Sequence, residues 1–291
     1  MTIRMLGSFV LFFALVAVSP AADGGVGTGK SFRGPVGLQT YSLRNQIRDN
    51  GAKAFDYIKE QGFKYVEIGL GSHYGMSREE LKETLKKLDL IPIAALGGHG
   101  FLLNNTDEAI EEAEFFGIKY VGTAWAEHRA PMNEAQMLKI ADDFNTIGKR
   151  LKEKGIQFFY HNHGFKFYPY KDGLTLFDLL MEKTDPDLVK YEMDTTWVVH
   201  PGQDPVKLLR KYPNRWVFMH LKDLKKGVVG DLSGGTDVEN DVPLGTGQVD
   251  WVETLKAAQE VGVKYYFIED ESSNVLKQIP QTLRYLESIE F

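Results

Sequence analysis

Ile156-Gln-Phe-Phe-Tyr-His-Asn-His163 is a short, β-rich apolar run that ends in two imidazoles. Runs of the same character begin near Val36 (VGLQTYS), Tyr65 (YVEIGL), Ile91 (IPIAALGG) and Tyr120 (YVGTAW) on its N-terminal side. On its C-terminal side they begin near Val189 (VKYEMDT), Trp216 (WVFMHLKD) and Tyr265 (YYFIEDE). Successive starts lie 26 to 36 residues apart, with one enlarged interval of 49 between Trp216 and Tyr265. Amphipathic helical segments fill the gaps, and Gly62, Gly117, Gly155 and Gly262 stop them just before the next run. Ser77 with Glu80, and Thr106 ahead of Glu108, read as helix N-termini. Eight such βα units predict one (β/α)8 TIM barrel over residues 36–291. A doubly wound open sheet has the same local alternation and is the competing arrangement.

Composition narrows the class. The chain has 291 residues, 43% hydrophobic and 25% charged, as a soluble globular protein does. Its 34 Lys+Arg against 40 Asp+Glu (net charge −6) argue against a nucleic-acid-binding surface, which needs clustered positive charge. The absence of cysteine excludes disulfides, thiolate metal ligands and cysteine nucleophiles. Met1 to Arg4 carry one positive charge. The apolar stretch Met5–Val18 follows, and Ser19-Pro-Ala-Ala22 closes a pattern that reads as a secretory signal peptide over residues 1–22. The stretch is shorter than the roughly 20 residues that span a bilayer, so we expect export to the periplasm or beyond and no stable membrane insertion; a retained anchor is the alternative. Residues 23–35, rich in glycine, read as a flexible lead-in.

All seven histidines fall at or beyond a strand's C-terminal end: His73, His99, His128, His161, His163, His200 and His220. In a barrel that end carries the active site. Residues two apart on a strand share a face, which pairs His161 with His163, Glu192 with Asp194, His220 with Lys222 and Glu269 with Glu271. Strands five to eight thus aim His, Asp, His and Glu at one region, where charged groups are costly unless paired or bound to metal. Imidazoles and carboxylates without thiolate suit one divalent ion such as Mn, Co, Zn, Fe or Ni. A salt-bridge network is the competing reading. His73 and His128 read equally well as solvent-facing loop residues, and Glu67 equally well as a structural acid. Tyr41, Trp125, Tyr168 and Trp197 lie near the same end and could stack on sugar faces. Gly227–Gly247 reads as a long functional loop or lid, with Gly245-Thr-Gly247 offering N–H groups to a phosphate.

The strand ends resemble those of the xylose-isomerase-like TIM-barrel sugar isomerases and epimerases. The carriers are Val66-Glu-Ile68, Tyr160-His-Asn-His-Gly164, Met193-Asp-Thr195 with His200-Pro-Gly202, Met219-His-Leu-Lys-Asp223, Pro243-Leu-Gly-Thr-Gly247 with Val249-Asp-Trp251, and Ile268-Glu269. The resemblance implies a divalent metal held by strands five to eight. Asp194, His220 and Glu269 match three ligands; His161 stands where many relatives have Glu, and His163 is its competitor. It further implies isomerase or epimerase chemistry by proton abstraction beside a carbonyl, with Glu269 as base, His161 or His163 exchanging the proton, and Lys222 stabilising developing charge. Glu67, His99, Trp125, Trp197 and His200 are the expected substrate contacts. The expected partner is a small carbohydrate, favoured without a phosphate group, with self-association into a homo-oligomer as a further option. A lyase or hydrolase acting on keto-glycosides at the same site is the nearest alternative, and a non-catalytic carbohydrate-binding barrel the next.

Overall fold

The computed structural model describes residues 25–291; the leader read at residues 1–22 lies outside them. Eight parallel strands close into a barrel: Val36–Gln39, Tyr65–Gly69, Ile91–Leu96, Tyr120–Thr123, Gln157–His161, Val189–Asp194, Trp216–Leu221 and Tyr265–Ile268. Closure is direct, because the first strand pairs with both the eighth (Leu38 beside Ile268) and the second (Leu38 beside Val66). This rules out the open sheet.

Helices cover the outside, and their signals act locally as read. Ser77 Oγ accepts the Glu80 N–H at 3.1 Å while Glu80 Oε2 accepts the Ser77 N–H at 2.7 Å, a complete capping box. Gly117 ends its helix in the left-handed region at φ 74°, where a Cβ would be strained. Thr106 does not cap. Its hydroxyl donates to the Leu102 carbonyl of the preceding turn instead. Among the described residues no helix is long and apolar enough to cross a membrane.

The interior is built in layers by the period of two along each strand. Ala94, Phe159, Phe218 and Phe267 form an apolar plug inside the barrel, and Phe159 and Phe218 meet edge to face at 5.1 Å. Two residues further along the same strands stand His161, His220 and Glu269, and Tyr65 is likewise followed by Glu67. The plug therefore forms the dry floor of a polar layer. Between strands and helices lies the second, larger apolar layer.

The segment read as a flexible lead-in is packed over residues 25–35. Phe32 is fully buried with its ring 4.9 Å from that of Tyr266. The Gly27 N–H donates to Glu287, the Phe291 N–H donates to Ser31, and a Cβ on Gly29 would sit 2.3 Å from the Glu287 carbonyl oxygen. One large apolar side chain and close backbone contact outweigh the glycine-rich composition that suggested a tether. Replacing Phe32 by Ala should therefore lower stability by about 3–5 kcal/mol in chemical denaturation. A change under about 0.5 kcal/mol would return the segment to the status of a tether.

Candidate active site

The strand ends and the segments that follow them line a cavity of about 760 Å³ at the C-terminal mouth of the barrel. Its floor centres on His220, which lies within 4.0 Å of four buried carboxylates. Nδ1 is 2.8 Å from Glu269 Oε2 and 4.0 Å from Asp194 Oδ2; Nε2 is 2.7 Å from Glu67 Oε2 and 3.2 Å from Glu192 Oε2. His161 stands beside it, with ring centroids 4.5 Å apart. Its Nδ1 is 3.1 Å from Glu192 Oε2 and its Nε2 is 3.8 Å from Asp194 Oδ2. Strand pairing produces this, since His161 is in register with Glu192 and Asp194 with His220.

His161, Asp194, His220 and Glu269 each present one ligand atom, and these atoms lie within 4.8 Å of one another. They are the four residues that the strand ends singled out. His161, rather than His163, closes the group. Asp194 Oδ1 accepts the Trp197 backbone N–H at 2.9 Å, whereas its buried Oδ2 has no partner. Such an orphaned carboxylate oxygen, among two imidazoles and a second carboxylate, fits a borderline divalent cation. Glu67 and Glu192 stand behind His220 and His161, and Gln39 Nε2 donates to Glu67 at 2.6 Å. Carboxylates so placed fix the ring orientation of metal-binding histidines.

The electrostatics are those of a crowded acidic pit. Burial, reinforced by Glu67, pushes Glu192 up to about 8. Burial likewise raises Asp194 to about 7, against the pull of Lys222. Burial opposes charge on His220 and Lys222, but the surrounding carboxylates outweigh it and hold both well above their ordinary values. Glu269 resists burial through Lys222 and His220 and stays well below the usual carboxylate range. Burial, together with His220, keeps His161 neutral, and burial lowers His163 to about 3. Lys222 Nζ donates to Glu271 Oε1 at 2.5 Å and lies 3.6 Å from Asp241 and 3.8 Å from Glu269.

The remaining expected contacts divide. Trp125, Trp197 and His163 line the cavity, with His163 stacked on Trp197 at 5.2 Å. Glu67 lies beneath the floor. His99 does not reach the cavity: it turns outward, 3.5 Å from Asp143 and edge-on to Phe144. His200 also points away, with Nδ1 against the backbone N and O of Asp231, and so fastens the long loop. His73 pairs with Glu112 and His128 stacks on Phe165. Gly245 and Gly247 cradle no external anion, because their N–H groups donate to the carboxylate of Asp223, which also accepts from Val249 N and Trp251 Nε1. The reading of the strand ends passed over Gln39, Arg44 and Asp241 at the cavity wall. It noted Glu192 and Glu271 only as same-face partners of Asp194 and Glu269, and that pairing was the available signal.

A family model described as a xylose isomerase-like TIM barrel matches residues 55–291. The inosose dehydratase of Clostridium tetani is 31% identical over 192 residues, covering 58% of this chain and 61% of that enzyme; the chain spans about three fifths of such a relative's length. The inosose dehydratase of Clostridium beijerinckii is 32% identical over 218 residues, 67% of this chain and 71% of that enzyme. Among solved structures, a sugar phosphate isomerase/epimerase from Parabacteroides distasonis superposes with a TM-score of 0.73 at 21% identity, covering 94% of this chain and 98% of that one. The IOLI protein with a bound zinc atom superposes at 0.69 and 15% identity, covering 86% and 95%. At these identities the two structures speak for the fold alone.

Glu192 and Asp194 keep protons in the folded chain that they release on unfolding near neutral pH. Their stabilising contribution is full below their ordinary values of 4.5 and 3.8 and is lost as the pH rises through about 8 and 7. The raised His220 acts in the same direction, and the lowered His161 and His163 oppose it only below about pH 6.5. The metal-free protein should accordingly melt at lower temperature at pH 8.5 than at pH 7. A flat or rising profile would contradict the crowding of acids.

Proposed function

The chain belongs to the xylose isomerase-like TIM barrel family, and from that membership and its barrel mouth we propose a divalent-metal-dependent lyase. It takes the proton beside the carbonyl of an unphosphorylated keto-sugar or keto-cyclitol and expels the oxygen on the next carbon. His161, Asp194, His220 and Glu269 would hold the ion, which when bound supplies positive charge to the substrate's carbonyl oxygen.

One observation carries the choice of elimination over epimerisation. Inverting a carbon needs a proton donor and an acceptor on opposite faces. Here the fifth strand supplies His161, kept neutral and enclosed by Glu192 and Asp194. Glu269 is the one carboxylate of the proposed ligand set that lines the cavity. Elimination needs only one such base. The Glu269 carboxylate takes the proton, the C–H electron pair becomes the new C=C bond, and the departing oxygen leaves with the C–O pair and recovers the proton. Lys222, charged and 3.8 Å from Glu269, stabilises the negative charge that develops on oxygen. His163, uncharged, can orient a substrate hydroxyl by hydrogen bonding against the Trp197 face.

The similarity to inosose dehydratases supports the same reaction class. Use of the Gly245 and Gly247 N–H groups by Asp223 supports a substrate without phosphate. We also propose export, supported by the leader pattern of residues 1–22 alone.

Incubation with keto-sugars in deuterated water, followed by NMR, tests the proposal. We expect loss of water or of an alcohol with formation of an unsaturated ketone. The Glu269→Gln variant should stay folded and lose about 10²–10⁴ in turnover. Deuterium-labelled epimer or isomer of unchanged formula would restore the isomerase reading, and no turnover of any sugar would favour a binding protein.

A further inference from the structure

The cavity is larger than a single sugar requires. At no more than the roughly 30 Å³ that a water occupies in the liquid for each heavy atom, a hexose fills at most about 360 Å³. About half of the 760 Å³ therefore lies beyond a ring seated at Glu269 and Lys222.

Two aromatic side chains border the cavity with much of their surface open. Tyr41, after the first strand, is 53% exposed, and Trp125, after the fourth, is 48% exposed. Both are held by neighbouring side chains. The Arg44 guanidinium lies 4.8 Å from the Tyr41 ring centre and is itself tied to the Glu271 carbonyl at 2.6 Å. Trp125 packs edge-on against Phe165 at 4.6 Å and His163 at 5.4 Å. Half-open aromatic rings fixed in place offer flat apolar faces at little entropic cost, which suits stacking on a ring. Arg44 and Arg48 add hydrogen-bond donors along the same wall.

We propose that the substrate has two linked rings, with the keto-sugar at the floor and the second ring in the outer part of the cavity that Tyr41 and Trp125 border. This rests on the elimination reading and extends it, because the second ring then departs as the leaving alcohol. The chemistry fixes the connection. The expelled oxygen must be beta to the carbonyl, so a carbonyl at C3 and a proton taken from C2 release the glycosidic oxygen at C1. Glu269 accepts the C2 proton, the C2–H pair forms the C1=C2 bond, and the C1–O pair leaves with the oxygen, which takes the proton. The products are an unsaturated keto-sugar and a free alcohol, and no further reactant is needed.

Methyl, phenyl and glucosyl 3-ketoglucosides, assayed by alcohol release with the metal-supplemented enzyme, test the assignment. We expect kcat/KM for a ring-bearing substrate to exceed that for the methyl compound by about tenfold, the size of a good stacking contact. In Tyr41→Ala and Trp125→Ala the ratio should fall to about one. A higher ratio for glucosyl identifies a second sugar, and one for phenyl an aromatic aglycone. Equal rates for all three in the unaltered enzyme overturn the two-ring substrate and leave elimination standing. Release from none of them, with no deuterium entering C2, overturns the elimination reading and this extension with it.

Discussion

His220 lies within 4.0 Å of four buried carboxylates, Glu67, Glu192, Asp194 and Glu269. Burying this much acid is unfavourable unless positive charge meets it. The chain supplies part of that charge through His220 and Lys222, and it shifts Glu192 and Asp194 toward their protonated forms. A divalent ion among His161, Asp194, His220 and Glu269 would remove the remaining repulsion. Both the polar layer and its apolar floor follow from one geometrical rule, that alternate residues of a closed barrel point inward.

The surrounding loops are organised to keep that layer in place. Asp223, one residue beyond Lys222, collects N–H donors from Gly245, Gly247, Val249 and Trp251 and so folds the end of the long loop back onto the seventh strand. Asp223–Leu224 pairs antiparallel with Asp241–Val242, which brings Asp241 beside Lys222. His200 fastens the same loop at Asp231. What reads in sequence as a phosphate cradle and a substrate-binding histidine is thus internal bracing for the cavity wall.

Much of this was legible because strand chemistry is local. The apolar runs beginning at Val36, Tyr65, Ile91, Tyr120, Val189, Trp216 and Tyr265 start where the barrel strands start, and the fifth begins at Gln157, one residue after Ile156. Period-two alternation brings His161, Asp194, His220 and Glu269 to one region of the barrel mouth. The failures arose where direction is set by tertiary contact. His99 lies beyond the strand's periodicity, at the start of the short helix His99–Asn104, and packs beside Asp143 and Phe144 of another helix. Composition misjudged residues 25–35 because a single Phe32 settles their packing. Glu192 was visible as a same-face neighbour of Asp194, but its role behind His161 depends on register between strands five and six.

In the proposed function the acidic pit holds a divalent ion before it does any chemistry. Its most direct test is titration of the metal-free protein with Co²⁺, read by elemental analysis and by the visible absorption of the bound ion. Saturation near one ion per chain is expected, lost in both His220→Ala and Asp194→Asn while circular dichroism remains that of a folded barrel. Absence of binding to the unaltered protein, or undiminished binding in both variants, would contradict it and leave these side chains a polar network.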